Sequence, residues 1–449
     1  MFLTAVTFAL AGCTAHVPSL ADAPVDPPAA WRTDVAANAG IQHDWWTRFG
    51  DPVLAALVER ALANNADVAI AAARVEEARA QERLARAQLL PTLDLGVGAT
   101  RSRSVGALGT PVETTTVQPV FQAAYEVHLS GRLGDQVEAA RAGVLSAAAA
   151  RDAAALSVAA ATASGYVTLR GLDARLQVVR ATIASRAEAL RIARSRARVG
   201  YTSQLELRQA EAEYEAAAQI LPQAQLAITR QEDALALLTG TPPRTIERGA
   251  SLDALAAPPV PAVLPSELLR RRPDIAQAEW SLAATDANLA AARAQFLPQL
   301  RLSASAGALA SSALGDAVSI WSVGGSILAP LFNGGRLQAQ VDASAARRDQ
   351  AAFAYQRTVL TAFREVEDAL AATVRLAEQR ARLEAQRRAL ADALRHATNR
   401  YEAGYTSYLE QLDAQRALLT ADLNLVQLRA DELNARVALY QAMGGGWTP

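Results

Sequence analysis

Few residues in this chain have the type and spacing that chemistry needs. Glu410 and Asp413 stand three apart, just after the first residues of the segment "AGYTSYLEQ" that begins at Ala403, so on a helix they share one face. Repeated around a symmetric assembly, that face becomes a ring of carboxylates, the device that favours cations in pores. Glu206 holds the matching place in "VGYTSQLEL", which begins at Val199. A plainer role is open to both glutamates: they answer the dipole of a first helical turn that Thr202-Ser203 or Thr406-Ser407 caps. Other chemistry is hard to find. His16, His43, His128 and His396 have no ligand-like neighbour at helical spacing, and neither a glycine-rich phosphate loop nor a nucleophile-elbow serine occurs. No catalytic centre, metal or cofactor is expected. A net charge of −1 argues against a nucleic-acid partner.

The single cysteine, Cys13, ends the apolar run "FLTAVTFALAGC". Apolar residues followed by small ones read as a signal peptide nearing its cleavage site. The quartet Leu10-Ala11-Gly12-Cys13 resembles a bacterial lipobox, which would make residues 1–12 a leader and Cys13 an acylated N-terminus. Residues 13–44, rich in Pro and Ala, then read as an extended tether. No run reaches the roughly 18 consecutive apolar residues of a spanning helix. Membrane contact is therefore expected through the lipid anchor, an amphipathic surface or a β-barrel.

The two nine-residue segments differ in position by 204 (403 − 199), and they are not the only repeated words. "ARAQLLPTLDL" from Ala85 returns as "ARAQFLPQLRL" from Ala292. Landmarks in constant order mean an internal duplication. The copies run over 45–239 and 265–443, with a Pro-rich connection at 240–264 and a tail at 444–449. Each copy reads as helix, strand, strand, very long helix, tip and helix. The first helices are expected over 52–90 and 265–296. Alternation follows: Leu93, Leu95 and Val97 against Asp94, Gly96 and Gly98, and Leu300, Leu302 and Ala304 against Arg301, Ser303 and Ser305. Phe121, Ala123, Tyr125, Val127 and Leu129 form the apolar face of one return strand, with His128 on its polar face, and Trp321, Val323 and Ile327 that of the other. Pro91, Pro119, Pro298 and Pro330 are expected near the strand boundaries.

After Gly131 and after Gly334-Gly335 the sequence runs without proline from Leu133 to about Val199 and from Leu337 to about Ala403. At 1.5 Å per residue each is a rod of about 100 Å. Leu172, Leu176, Val179, Ile183, Ala187 and Leu190 keep the spacing of a coiled-coil seam, and Leu376, Leu383 and Leu390 recur at seven. Alternation alone fits a soluble sheet packed on one face as well as a barrel wall; the long rods favour the wall. Four such strands leave two edges that hydrocarbon does not tolerate, so subunits must close the sheet. Two chains give 8 strands and a filled interior, whereas three give 12 and a lumen.

The duplicated pattern resembles the outer-membrane efflux factor family of the TolC/OprM/NodT type. So do "WWTRFGDPVLAALVERALANNADVAIAAARVEEARAQ" from Trp45, "RRPDIAQAEWSLAATDANLAAARAQFLPQL" from Arg271 and "YLEQLDAQRALL" from Tyr408. The likeness covers the chain from about Trp45 to its end. It implies a mainly α, TolC-like fold with a small transmembrane β part, a homotrimer with a 12-strand barrel, and a long periplasmic helical barrel. It further implies passive conduction, powered by an inner-membrane resistance-nodulation-division pump and reached through a periplasmic adaptor. The lipobox resembles that of the family's lipidated branch. Matched residue by residue, Glu410 and Asp413 would form the periplasmic constriction, and Glu206 and Tyr401 the cross-links that help hold it shut. Gly200, Tyr201, Thr202 and Ser203, with Gly404, Tyr405, Thr406 and Ser407, would be the tips an adaptor grips. Gln204 against Tyr408, and Gln209 against Asp413, mark the second hairpin as the gate. A protein-secretion channel of the same fold, and a periplasmic coiled-coil scaffold without a pore, stay open as alternatives.

Overall fold

The protein is described by a computed structural model over residues 25–33, 40–107 and 109–448. Cys13 and the leader 1–12 lie outside the described residues. The helices are α1 (Pro52–Asn64), α2 (Ala66–Ala87), α3 (Arg132–Arg198), α4 (Gln204–Ala218), α5 (Ile220–Leu238), α6 (Pro265–Arg271), α7 (Pro273–Ala294), α8 (Arg336–Glu402) and α9 (Tyr408–Ala442). The strands are β1 (Thr92–Val105), β2 (Pro111–Val127), β3 (Gln299–Ser311) and β4 (Val318–Leu328), in the antiparallel order β1-β2-β3-β4.

The expected first helix of each copy is two helices. Asn65 ends α1 and caps α2, its side-chain oxygen accepting from the N–H groups of Asp67 (2.8 Å) and Val68 (3.3 Å). Arg272 divides α6 from α7 because the residue before a proline is driven out of helical geometry; its φ is −109° and ψ 123°. The two rods come out as expected. Both α3 and α8 have 67 residues, about 100 Å each. An 18-residue stretch of α3 has a mean hydropathy of 1.4, apolar enough for a bilayer span although no unbroken apolar run is present. Its apolarity comes largely from alanine, which lets α2 and α7 pack closely beside it.

The return legs differ between copies. α9 is continuous, whereas the first leg breaks between α4 and α5. Pro222 explains the break: it has no N–H for the Ala218 carbonyl, and its ring crowds that carbonyl. The second copy has Val426 at the same place (222 + 204). The seam is only partly as expected. Leu176, Val179 and Leu190 are buried, but Ala187 is exposed and Arg186 takes the inner position beside it. Leu376, Leu383 and Leu390 are half-buried within one chain.

Register fixes the two faces of the sheet. Leu95 pairs with Phe121, Phe121 with Ala306 and Ala306 with Trp321; Leu93, Ala123, Ala304 and Val323 make the adjacent apolar row. Leu93, Leu95, Val97, Phe121, Trp321 and Val323 are all exposed. The opposite face carries Asp94, Gln122, Ser305 and Ser322, again in one row. Two expectations fail here. Pro119 lies inside β2, opposite Val97 in β1, rather than at a boundary. The β2–β3 ladder skips Gln118 and Pro119, so the missing N–H falls where no partner is engaged. His128 and Leu129 lie past the end of β2; His128 Nε2 is 3.2 Å from the Leu89 carbonyl, tying the strand end to the turn after α2.

The main core sits partway along the rods, where Trp45, Phe49 and Leu54 meet Tyr166, Leu169, Leu235 and Tyr440. There the Asp51 carboxylate accepts from Tyr166 Oη and from the Ala250 N–H, both at 2.8 Å, and Gly249 donates to Tyr166 Oη at 2.8 Å. Burial pushes the Tyr166 phenol up to about 12. This network fastens the connection after α5 to α1 and α3. A matching second core joins Leu268 and Ile275 to Val359, Val366 and Leu439.

Candidate functional site

The two tips are built alike. Gly200 and Gly404, at φ +73° and +78°, supply the left-handed residue that ends each rod. Behind them Tyr201 N–H donates to the Arg196 carbonyl and Tyr405 N–H to the Arg400 carbonyl, each at 2.9 Å, closing the six-residue loop of a Schellman motif. Tyr201 and Tyr405 stand out into solvent, 86% and 81% exposed. Ser203 Oγ accepts from the Glu206 N–H at 3.2 Å, so the first cap forms as expected. The second does not: Ser407 makes no side-chain cap, and Thr406 Oγ1 instead donates to the Glu410 carboxylate.

Just above the tips a tyrosine bonds one hairpin to the other. Tyr401 Oη donates to the Glu206 carboxylate, joining α8 to α4. The Arg196 guanidinium lies over the Tyr401 ring, 5.3 Å from its centre. Burial pushes the Tyr401 phenol up to about 12; the bond to Glu206 adds to this and Arg196 opposes it. Tyr408 packs against Tyr401 with ring centres 5.6 Å apart, among Leu190, Ala193, Ala210 and Leu412. Thus Tyr408, which replaces Gln204 of the first copy, is an apolar bolt between hairpins. Its phenol is also pushed up by burial.

One step higher is a charged cluster that sequence reasoning did not single out. Arg416 of α9 donates through Nε to Glu213 of α4 at 2.9 Å, and Arg186 of α3 lies 3.8 Å from the other oxygen of Glu213. Arg186 is only 4% exposed, and burial holds its guanidinium below the ordinary value while Glu213 opposes the shift. The hydrogen bond that Arg416 donates to Glu213 raises the Arg416 guanidinium. Neither Arg186 Nη1 nor the Tyr408 hydroxyl has a hydrogen-bond partner among the described residues. Arg416 follows Asp413 by three residues, but that spacing says nothing of Glu213, 203 positions away.

Glu410 and Asp413 share an exposed face of α9, as their spacing requires. They are not alike. Arg400 Nη1 holds Glu410 at 2.6 Å within the same hairpin, whereas Asp413 has, among the described residues, only Arg416 at 3.9 Å. Glu206, Tyr401 and Arg196 form one contact; Glu410, Thr406 and Arg400 form another. No group of three or more His, Cys, Asp or Glu side chains suited to a metal occurs among the described residues.

An exposed apolar sheet with two open edges, carried on paired 100 Å helices that end in a latched polar tip, defines the protomer of an outer-membrane channel. The family model described as outer membrane efflux protein matches residues 57–241 and 264–445. The chain belongs to that family. It is 35% identical to the probable efflux pump outer membrane protein TtgC of Pseudomonas putida, over 99% of this chain and 95% of that one. Its fold matches the outer-membrane channel OprN with a TM-score of 0.87 and 29% identity, over 95% and 99% of the two chains. The open state of the Neisseria gonorrhoeae MtrE channel matches with a TM-score of 0.83 and 30% identity, over 94% and 96%.

Proposed function

We propose that three copies of this chain form the outer-membrane duct of a tripartite efflux system, conducting small molecules passively and closed at its periplasmic tip. One observation carries this reading: among the described residues β1 and β4 are unpaired edges of a sheet whose one face is apolar and exposed. Such a sheet is stable in lipid only when copies close it, and three copies leave a lumen. Cys13 anchors the assembly through an acyl chain. The tips Gly200–Ser203 and Gly404–Ser407 receive a periplasmic adaptor, and an inner-membrane pump of the resistance-nodulation-division type supplies the energy. Glu206 and Tyr401 latch the tip, and three pairs of Glu410 and Asp413 ring it. That relatives are named as efflux pump components supports this assignment.

Gating follows from the two contact sets. Carboxylates gathered in a narrow ring repel, so closure depends on the Tyr401–Glu206 bond, the Tyr408 packing and the Glu213 cluster. An adaptor that draws α9 outward breaks these bonds and relieves the repulsion. The assembly is tested by measuring the mass of the protein extracted in detergent from isolated outer membranes. Three chains per particle are expected; a monomer recovered from the soluble periplasmic fraction would point to a scaffold instead.

A further inference from the structure

We infer that the outer rim of the sheet carries a docking site for phosphate-bearing lipid headgroups, formed by Arg101 and Arg103. The inference rests on the reading that the sheet spans the outer membrane. All four strand-to-helix junctions lie at one end of the sheet, so the β1–β2 turn lies at the other, outside the cell.

Register places Arg101 opposite Thr115 and Arg103 opposite Glu113, in the column that begins Leu93, Leu95, Val97 and Ala99. Alternate residues of a strand share a face, so both arginines project to the lipid side rather than into the lumen. The apolar column of β2 runs from Val127 to Val117, broken by no charge. Its ten residue steps make about 33 Å of strand. A tilt near 40° reduces this to about 25 Å of height, that of the apolar band of an outer-membrane barrel. Arg101 and Arg103 are therefore the first charges above the hydrocarbon, at headgroup level.

Both are open to a partner, 76% and 69% exposed. They share a single carboxylate: Arg101 Nη2 is 2.9 Å from Glu113, and Arg103 Nε is 4.0 Å away. One positive charge is left over, with most of the N–H donors free. Guanidinium forks suit phosphate oxygens, which accept two parallel hydrogen bonds. The lumen face at this level offers Thr100, Ser102, Thr114 and Thr116, all uncharged, so a permeating solute is a poor candidate for the arginines. Lipid-side positions of β3 near its outer end are Ala308 and Ala310, so the feature belongs to the first copy alone.

The test uses the full chain in phosphatidylcholine vesicles containing lipid A bisphosphate or its dephosphorylated form. Wild type, R101Q/R103Q and E113Q are floated on a density gradient, extracted in mild detergent, and the retained lipid A counted by mass spectrometry. Wild type should retain the bisphosphate at least about ten-fold better than the double variant, as two surface arginines warrant. E113Q should retain more than wild type, and the dephosphorylated lipid should be retained by none. Equal retention by wild type and R101Q/R103Q, or equal retention of both lipids, overturns the headgroup site while leaving the membrane reading intact. Failure of wild type to float overturns both.

Discussion

Tyr401 stands where the first copy has Ala197, and that difference redirects two charges (401 − 197 = 204). Arg196 and Arg400 occupy equal places in the copies, as do Glu206 and Glu410. In the second hairpin Arg400 pairs with its own Glu410; in the first, Arg196 and Glu206 both turn to Tyr401 across the hairpin boundary. Replacing Tyr401 with Phe removes a hydrogen bond to a charged group while keeping the ring, a loss of about 1–2 kcal/mol of closure in this partly exposed setting. Bilayer conductance is expected to rise several-fold. The pH dependence has a definite sign. The Tyr401 phenol is raised from its ordinary 10 to about 12, so the latch is fully present below pH 10 and is lost as pH rises through 12. The conductance gap between wild type and Tyr401→Phe should be constant from neutral solution up to about pH 10 and close in that alkaline window. Glu213→Ala is a harsher change, since it leaves Arg186 buried without its countercharge, at a cost of about 3–5 kcal/mol. A thermal melt should show it, and Glu213→Leu with Arg186→Met should recover most of the loss. That Glu206 and Glu410 lie in first helical turns beside the tips, and that Asp413 shares the face of Glu410, was legible from spacing. The Glu213–Arg416 pair was not, because its members lie far apart in sequence and nothing local announces the pairing.

Elements were legible where local chemistry decides them. The rods follow from the absence of proline between Leu133 and Val199 and between Leu337 and Ala403, and their ends from the glycines that terminate them. The division of α4 from α5 was equally local, written in Pro222, but the helical pattern around it hid the signal. Pro119 was misplaced for a different reason. A proline inside a paired strand is tolerated only where a ladder bond is absent, and that depends on a partner strand far along the chain. Gly307 of β3 completes that arrangement. A Cβ there would lie 2.2 Å from the Pro119 carbonyl oxygen and 2.8 Å from Val120 Cα. Gly307→Val should therefore prise β3 from β2. The expected result is loss of the folded, heat-modifiable band on a detergent gel, with the helical content by circular dichroism largely kept. A barrel that tolerates valine at Gly307 would show that the two strands can separate without cost.

At the scale of the molecule, one chain leaves surfaces that only an assembly explains. The outward sheet face and both its edges lie bare, and Leu376, Leu383 and Leu390 are half-buried along a face of α8. Burial of each such leucine by a neighbour is worth about 1 kcal/mol, and many act together along a 100 Å rod. Duplication accounts for the matched tips, and in the gating proposed above the divergence between copies would make the first hairpin the fixed post and the second the moving leaf. Tyr408, Asp413 and Tyr401 all belong to the second copy, as does the unbroken α9, a stiffer lever than the divided first leg. The most direct measurement is single-channel conductance in planar bilayers of the purified protein, wild type against a variant carrying Tyr401→Phe and Glu206→Gln. Wild type should show small, cation-selective steps, and the variant steps several-fold larger; adding Glu410→Ala and Asp413→Ala should remove the cation preference. The absence of steps from either protein, or equal steps and unchanged selectivity in all three, would contradict a channel latched and ringed at its periplasmic tip.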